Sequence, residues 1–245
     1  MRSSSRVVGA LLTATLLAAA LAGPVGAQHG ERLYRVTIIN RVDRGQPFTP
    51  PLIATHSGNV HLFRVGSPAS SGTQEIAENG NLAPLLAALS ADPAVSDVVA
   101  AEAPVVPRRS PAFGTFDDEV TLMISADGDA GFLSWESMLI CSNDGFTGVD
   151  SLALPAEIGD RSSMLTAGYD AGTEINTEDF ADIVPPCQGL IGVSSGESGT
   201  GTTNPALAEG GVIHHHLGIA GGGDLVRKVH DWNRWVARIV VERTG

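Results

Sequence analysis

Apolar and polar residues alternate with a period of two through Leu33-Tyr34-Arg35-Val36-Thr37-Ile38-Ile39-Asn40, which predicts a half-buried strand with Tyr34, Val36 and Ile38 on one face. The alternation returns near residues 116–124, where Val120, Leu122 and Ile124 interleave with Thr121, Met123 and Ser125. Ala126-Asp127-Gly128-Asp129-Ala130-Gly131 has turn chemistry, and residues 132–140 read as a returning strand, so the two are expected to form a central hairpin. Between these strands, Gln46-Pro47-Phe48-Thr49-Pro50-Pro51 can only run extended. Leu52–His56 and Val60–Phe63 flank a Ser57-Gly58-Asn59 turn; they are expected to pair, with His56 and His61 beside the turn rather than facing the core. Residues 73–103 change character: 76–80 predicts a short helix stopped by Gly80, and Asn81 reads as a cap for a second helix carrying Leu82, Leu85, Leu86 and Leu89, ended by Pro93. Leu85, Leu86 and Leu89 are expected to dock on the sheet rather than form a partner groove. Residues 192–204, rich in Gly, Ser and Thr, predict a mobile loop, and Val236, Ile239 and Val241 a terminal strand. Short strands separated by turns predict an all-β, antiparallel β-sandwich with short peripheral helices.

The first residues follow a different pattern. Arg2 and Arg6 precede an apolar run from Val7 to Ala22, and Val25-Gly26-Ala27 is small at the positions that matter for cleavage. This predicts a secretory signal peptide over 1–27 and a secreted protein, periplasmic or extracellular; an uncleaved anchor is the alternative, opposed by Thr13, Thr15 and Gly23-Pro24. The remaining 218 residues, 28–245, are read as a single domain. Loss of Arg2 and Arg6 takes the formal charge from −12 to −14, and no basic cluster exceeds Arg108-Arg109. That field argues against a nucleic-acid partner and leaves membrane contact possible only through calcium.

Candidate chemistry concentrates where the apolar run Met138-Leu139-Ile140 gives way to Ser142-Asn143-Asp144-Gly145, whose oxygens suit a hard cation. A second acidic turn, Tyr169-Asp170-Ala171-Gly172-Thr173-Glu174, can supply two more carboxylates, because Gly172 permits a bend that turns Asp170 and Glu174 toward one point. Asp127 and Asp129 belong at the opposite end of the strand, roughly 25 Å away at about 3.3 Å per residue, and are read as turn formers. Together the stretch from Ser142 to Leu152 and the 169–174 turn resemble the spondin domain, the extracellular module of F-spondin, mindin and many secreted bacterial proteins, over about residues 33–243. The resemblance implies a C2-like sandwich whose last strand lies beside its first. It also implies a calcium ion held by Asp144, Asp170 and Glu174, the last standing where several members have Asp, and a role in adhesion or recognition of an extracellular protein or glycan.

Cys141 and Cys187 are the two cysteines. In an oxidising compartment they most simply form one disulfide, worth about 3–4 kcal/mol for a loop of this length; bacterial members of the resembled family often carry such a pair. Separate thiols serving as metal ligands or nucleophile are the competing reading. His214-His215-His216 offers i, i+2 ligands for zinc or copper if His230 or Asp224 comes near; structural histidines are the plainer reading. Trp232 and Trp235 read as core or edge-covering residues, with a partner or sugar anchor as the alternative. No nucleophile elbow, zinc-protease helix or phosphate loop is present in the sequence, so the chain reads as a binding module rather than an enzyme. The alternative function is a zinc-dependent hydrolase built on the His214–His216 loop.

Overall fold

The alternation at 33–40 becomes β1 (Arg32–Asn40), which buries Tyr34, Val36, Ile38 and Asn40 and turns Leu33 and Arg35 outward. In this computed structural model, which describes residues 30–245, the chain continues through β2 (Leu52–His56), α1 (Ser71–Asn79), α2 (Ala83–Ala91), β3 (Val95–Ala100), β4 (Glu119–Ala126) and β5 (Phe132–Met138). There follow β6 (Gly145–Ala153), β7 (Arg161–Thr166), β8 (Gly168–Asp170), α3 (Pro186–Ile191), β9 (His214–His215), α4 (Arg227–His230) and β10 (Ala237–Arg243). The expected signal peptide at 1–27 lies outside the described residues. No described helix is long and apolar enough to cross a membrane.

The strands form two antiparallel sheets, ordered β4-β1-β10-β7 and β3-β2-β5-β6-β8-β9. The terminal strand lies beside the first, Val36 opposite Val241 and Ile38 opposite Ile239. Between the sheets sits one core of Tyr34, Val36, Ile53, Leu133, Trp135 and Ile239. The six-stranded sheet is covered on its other face as well: Leu52, Ala54, Met138 and Phe146 pack there against Ile76 and Ala77 of α1, Leu85 and Leu89 of α2, and Phe180 and Ile183. This second core explains why all five residues of β2 are buried rather than alternating. It also settles the leucine helix, whose Leu85 and Leu89 are docked. Ser70 caps α1 through the Thr73 amide, and Gly80 ends it in the left-handed conformation (φ 64°).

Three local expectations are corrected. β4 and β5 do not form a hairpin: β4 pairs with β1 and β5 with β2 and β6, so the 127–131 turn carries the chain from one sheet to the other. Local turn chemistry specifies a reversal, not which strand receives it. Val60–Phe63 is not a strand; β2 pairs instead with β3, a strand the leucine-rich context obscured. His56 is consequently wholly buried, with Nδ1 2.7 Å from the Ser57 carbonyl and Nε2 2.7 Å from Ser134 Oγ, while His61 sits at the surface against Asp150. β7, read from Arg-Ser-Ser-Met-Leu-Thr, is a polar sheet edge whose composition carries little strand signal.

Cys141 and Cys187 form a disulfide across 46 residues, with Cα atoms 5.1 Å apart, which removes the separate-thiol reading. It joins the end of β5's turn to α3, where Pro185 and Pro186 start a short helix instead of making only a turn.

Candidate metal centre

β5 and β6 are adjacent antiparallel strands, Met138 opposite Phe146, and the connection between them is the Ser142-Asn143-Asp144 turn. Ser142 Oγ accepts the Gly145 amide at 3.0 Å and donates to the Leu139 carbonyl at 2.6 Å, so this polar residue closes the turn. β8 pairs with the start of β6, Gly145 opposite Asp170, which carries the second acidic bend to the first. The Ala171 amide donates to the Asp144 carbonyl at 3.1 Å, fixing the two together. Gly172 takes φ 68°, and a Cβ there would lie 2.6 Å from the Val212 backbone, so both conformation and space require glycine.

Asp144 is wholly buried in this junction. Its Oδ2 accepts the Thr173 amide at 2.8 Å, the Glu174 amide at 3.1 Å and the Thr173 hydroxyl at 3.2 Å. Its Oδ1 has no hydrogen-bond partner. Burial, then the charge of Asp170, push this carboxyl up to about 7 against the three donors that favour the anion. Asp170 accepts the Gly172 amide on Oδ1 at 2.8 Å and the Asn176 amide on Oδ2 at 2.7 Å. Glu174 is pushed up to about 8 by burial and by Glu78, Asp144 and Asp182. Three sequence-separated carboxylates thus occupy one junction in which each charge opposes the next. Among the described residues, no three His, Cys, Asp or Glu side chains are gathered closely enough to hold a metal ion as they stand. The chemistry of the donors is nevertheless that of a hard-cation site: an orphaned buried carboxylate oxygen with two further carboxylates in the adjoining bend.

The histidine loop is arranged differently from a zinc tripod. His214 is exposed, with Nδ1 3.7 Å from Asp170 Oδ1, whereas His216 is half-buried. His216 Nδ1 accepts the Gly218 amide at 3.0 Å, so its Nε2 keeps the proton and is a donor rather than a ligand. His230 Nδ1 likewise accepts the Val226 amide at 2.7 Å, and Asp224 accepts the Phe180 amide at 3.1 Å. Neither is turned to the histidine pair. His215 stacks on Tyr169 and His216 packs on Trp232. Trp232 covers Gly168, while Trp235 keeps 39% of its surface exposed with the Arg234 guanidinium over its ring.

One clasp is not legible from residue pattern. Glu178 adopts φ 58°, unusual for a residue with a Cβ, and its carboxylate accepts the amides of Ala220, Gly221 and Gly222 at 2.5, 2.6 and 2.7 Å. The Glu178 amide in turn donates to Asn143 Oδ1 at 3.2 Å. Glu178 therefore locks the glycine-rich 218–223 loop to the Asp144 turn. Local sequence gives no sign of the pairing, because the acid lies more than forty residues from the amides it accepts.

The sequence profile described as Spondin_N matches residues 43–179, a span that covers β2 through β8 and both acidic bends. A search of curated proteins finds no match. The matched region is more than half of the chain and contains the Asp144, Asp170 and Glu174 junction; the chain belongs to the Spondin_N family.

Proposed function

We propose that the protein is an extracellular recognition module in which Asp144, Asp170 and Glu174 hold one calcium ion at the rim of the sandwich. Family membership and the disulfide point to an extracellular or secreted protein of a non-enzymatic module type. The observation that carries the calcium reading is the Asp144 carboxylate: wholly buried, with Oδ1 unpartnered, and raised to about 7 beside Asp170. A divalent cation supplies the positive charge such a group lacks. Backbone carbonyls and water complete the six to eight oxygens calcium takes.

Three chain segments meet at this point: the 142–145 turn, the 170–175 bend and the 207–212 segment, whose Glu209 and Gly211 amides donate to the Thr173 and Gly172 carbonyls. Ion binding orders the rim and presents it to an extracellular protein or glycan, in adhesion or recognition. Contact with an anionic membrane runs only through the ion, given the net charge of −12.

Thermal unfolding with calcium or with chelator tests this. At a calcium concentration one hundred times Kd the gain is about 2.7 kcal/mol, a Tm rise of about 5–10 °C for a chain of this size. Asp144→Asn abolishes the rise while leaving circular dichroism unchanged. A wild-type Tm indifferent to millimolar calcium sinks the reading. Pull-down from extracellular material with and without chelator then identifies the partner.

A further inference from the structure

We propose that a second site, an arginine-walled cleft at the far end of β1, binds an acidic saccharide, with the sugar ring on Trp235 and its carboxylate or sulfate on the arginines. The cleft encloses about 900 Å³ and shares no lining residue with the Asp144, Asp170 and Glu174 junction. It is therefore independent of the calcium reading.

In a chain of 15 basic and 27 acidic residues, Arg41, Arg108, Arg109 and Arg227 line this one cleft, together with Trp232 and Trp235. Three of the arginines are held by carboxylates of the same cleft: Arg108 by Asp118, Arg109 by Asp43 at 2.9 Å and Arg227 by Asp231 at 3.2 Å. Each pairing engages a single guanidinium nitrogen, and the three side chains remain 74%, 66% and 72% exposed. A guanidinium carries five N–H donors in a planar fork, so most of the donors are oriented yet free. Arg41 has no ion-pair partner among the described residues.

The wall is fixed rather than loose. Asp231 accepts the Ile219 amide at 3.1 Å as well as Arg227, and the Arg41 amide donates to the Val236 carbonyl at 2.7 Å, pinning the segment that carries both tryptophans. Trp235 is 39% exposed at the cleft. The Arg234 guanidinium takes one face of the Trp235 ring, 4.6 Å from its centroid, so the opposite face is the one offered to the C–H side of a pyranose, and neighbouring guanidinium forks match a carboxylate or sulfate bidentately.

Two other ligand classes fit less well. Of the lining carboxylates Asp43, Asp118 and Asp231 are engaged with arginines, which leaves Glu119 as the one carboxylate free to accept from the hydroxyls of a neutral saccharide, while the guanidinium forks go unused. A nucleic acid or polyphosphate needs positive charge extended along its backbone, whereas the arginines here are confined to one cleft of a chain that carries −12 overall.

Tryptophan fluorescence and calorimetric titrations of the exported full-length protein, run in EDTA, test the proposal. The probes are a galacturonate hexamer, a heparin-derived hexasaccharide, maltohexaose and polyglutamate. The expected result is saturable binding of one or both acidic saccharides, none of maltohexaose or polyglutamate, and about tenfold weaker binding in Trp235→Ala and in Arg109→Gln. Arg161→Gln, on the outer sheet away from the cleft, binds as wild type. Failure of both acidic saccharides, equal binding of polyglutamate, or unchanged binding in both cleft variants overturns it. Because the titration is made in EDTA, its failure leaves the calcium reading standing, and loss of calcium binding leaves this one standing.

Discussion

Replacing Glu136 by glutamine should remove much of the protein's loss of stability at alkaline pH. Glu136 lies in β5 on the face covered by α1 and is wholly buried. Its Oε1 accepts the Thr73 hydroxyl at 3.3 Å, and its Oε2 has no partner. Burial dominates and raises the carboxyl from its ordinary 4.5 to about 8, the Thr73 bond opposing and the charge of Asp150 adding to the rise. Between these two values the folded protein keeps a proton that the unfolded chain has released. Native stability therefore falls as pH rises through that window and levels off above about 8. At about 1.4 kcal/mol per pH unit, the full effect is at most about 5 kcal/mol. Glutamine keeps the shape and an acceptor for Thr73 but cannot ionise. Urea unfolding in EDTA at pH 4.5, 7 and 9 is the assay: the two proteins should match within about 1 kcal/mol at pH 4.5, with the variant more stable by several kcal/mol at pH 9. Asp144 and Glu174 titrate in the same range in both proteins, so they cancel in the difference. Parallel pH profiles for wild type and variant would refute the reasoning.

Further outcomes follow from the geometry. Cys141→Ala with Cys187→Ala should cost about 3–4 kcal/mol in urea unfolding, the value for a loop of 46 residues, with the α3 region becoming protease-sensitive. Gly172→Ala should destabilise by at least about 2 kcal/mol, because it combines φ 68° with a Cβ 2.6 Å from the Val212 backbone; its calcium affinity should fall as well, and a neutral result would show that the bend is not constrained. Glu178→Ala should lower Tm by an amount equivalent to about 2–4 kcal/mol through loss of three charge-assisted amide contacts, whereas Glu157→Ala, at an exposed position, should change nothing. Hydrogen exchange at Ala220, Gly221 and Gly222 should accelerate in the former variant alone.

The sequence carried the parts of the fold that repeat a local pattern. Period-two alternation located β1, β4 and β10, and turn chemistry located the Asp144 and Asp170 bends together with the glycine between Asp170 and Glu174. What it could not carry was partnership. The 127–131 turn looks like a hairpin but crosses between sheets, because the partner of β4 is chosen by the apolar face of β1, ninety residues earlier. β2 hides its neighbour β3 because both faces of that sheet are covered, which erases alternation. The same limit applies at the site. Two of the three acids lie in one bend and were legible together, yet the clasp from Glu178 to the 220–222 amides and the pinning of Asp231 on Ile219 depend on loop geometry that no spacing encodes. At His216 the i, i+2 spacing admits both a ligand and a structural histidine, and what bears on the choice is a single backbone amide on Nδ1, which no spacing encodes.

In the proposed module the buried, half-satisfied carboxylate of Asp144 is completed by a calcium ion shared with Asp170 and Glu174. Equilibrium dialysis of chelator-stripped protein against radioactive calcium at pH 8 measures this directly. One ion per chain, displaced by EGTA, weakened at pH 6 where Asp144 and Glu174 hold protons, and absent from folded Asp144→Asn is the expected result. No retained calcium in the wild type, or equal retention in Asp144→Asn, would contradict it.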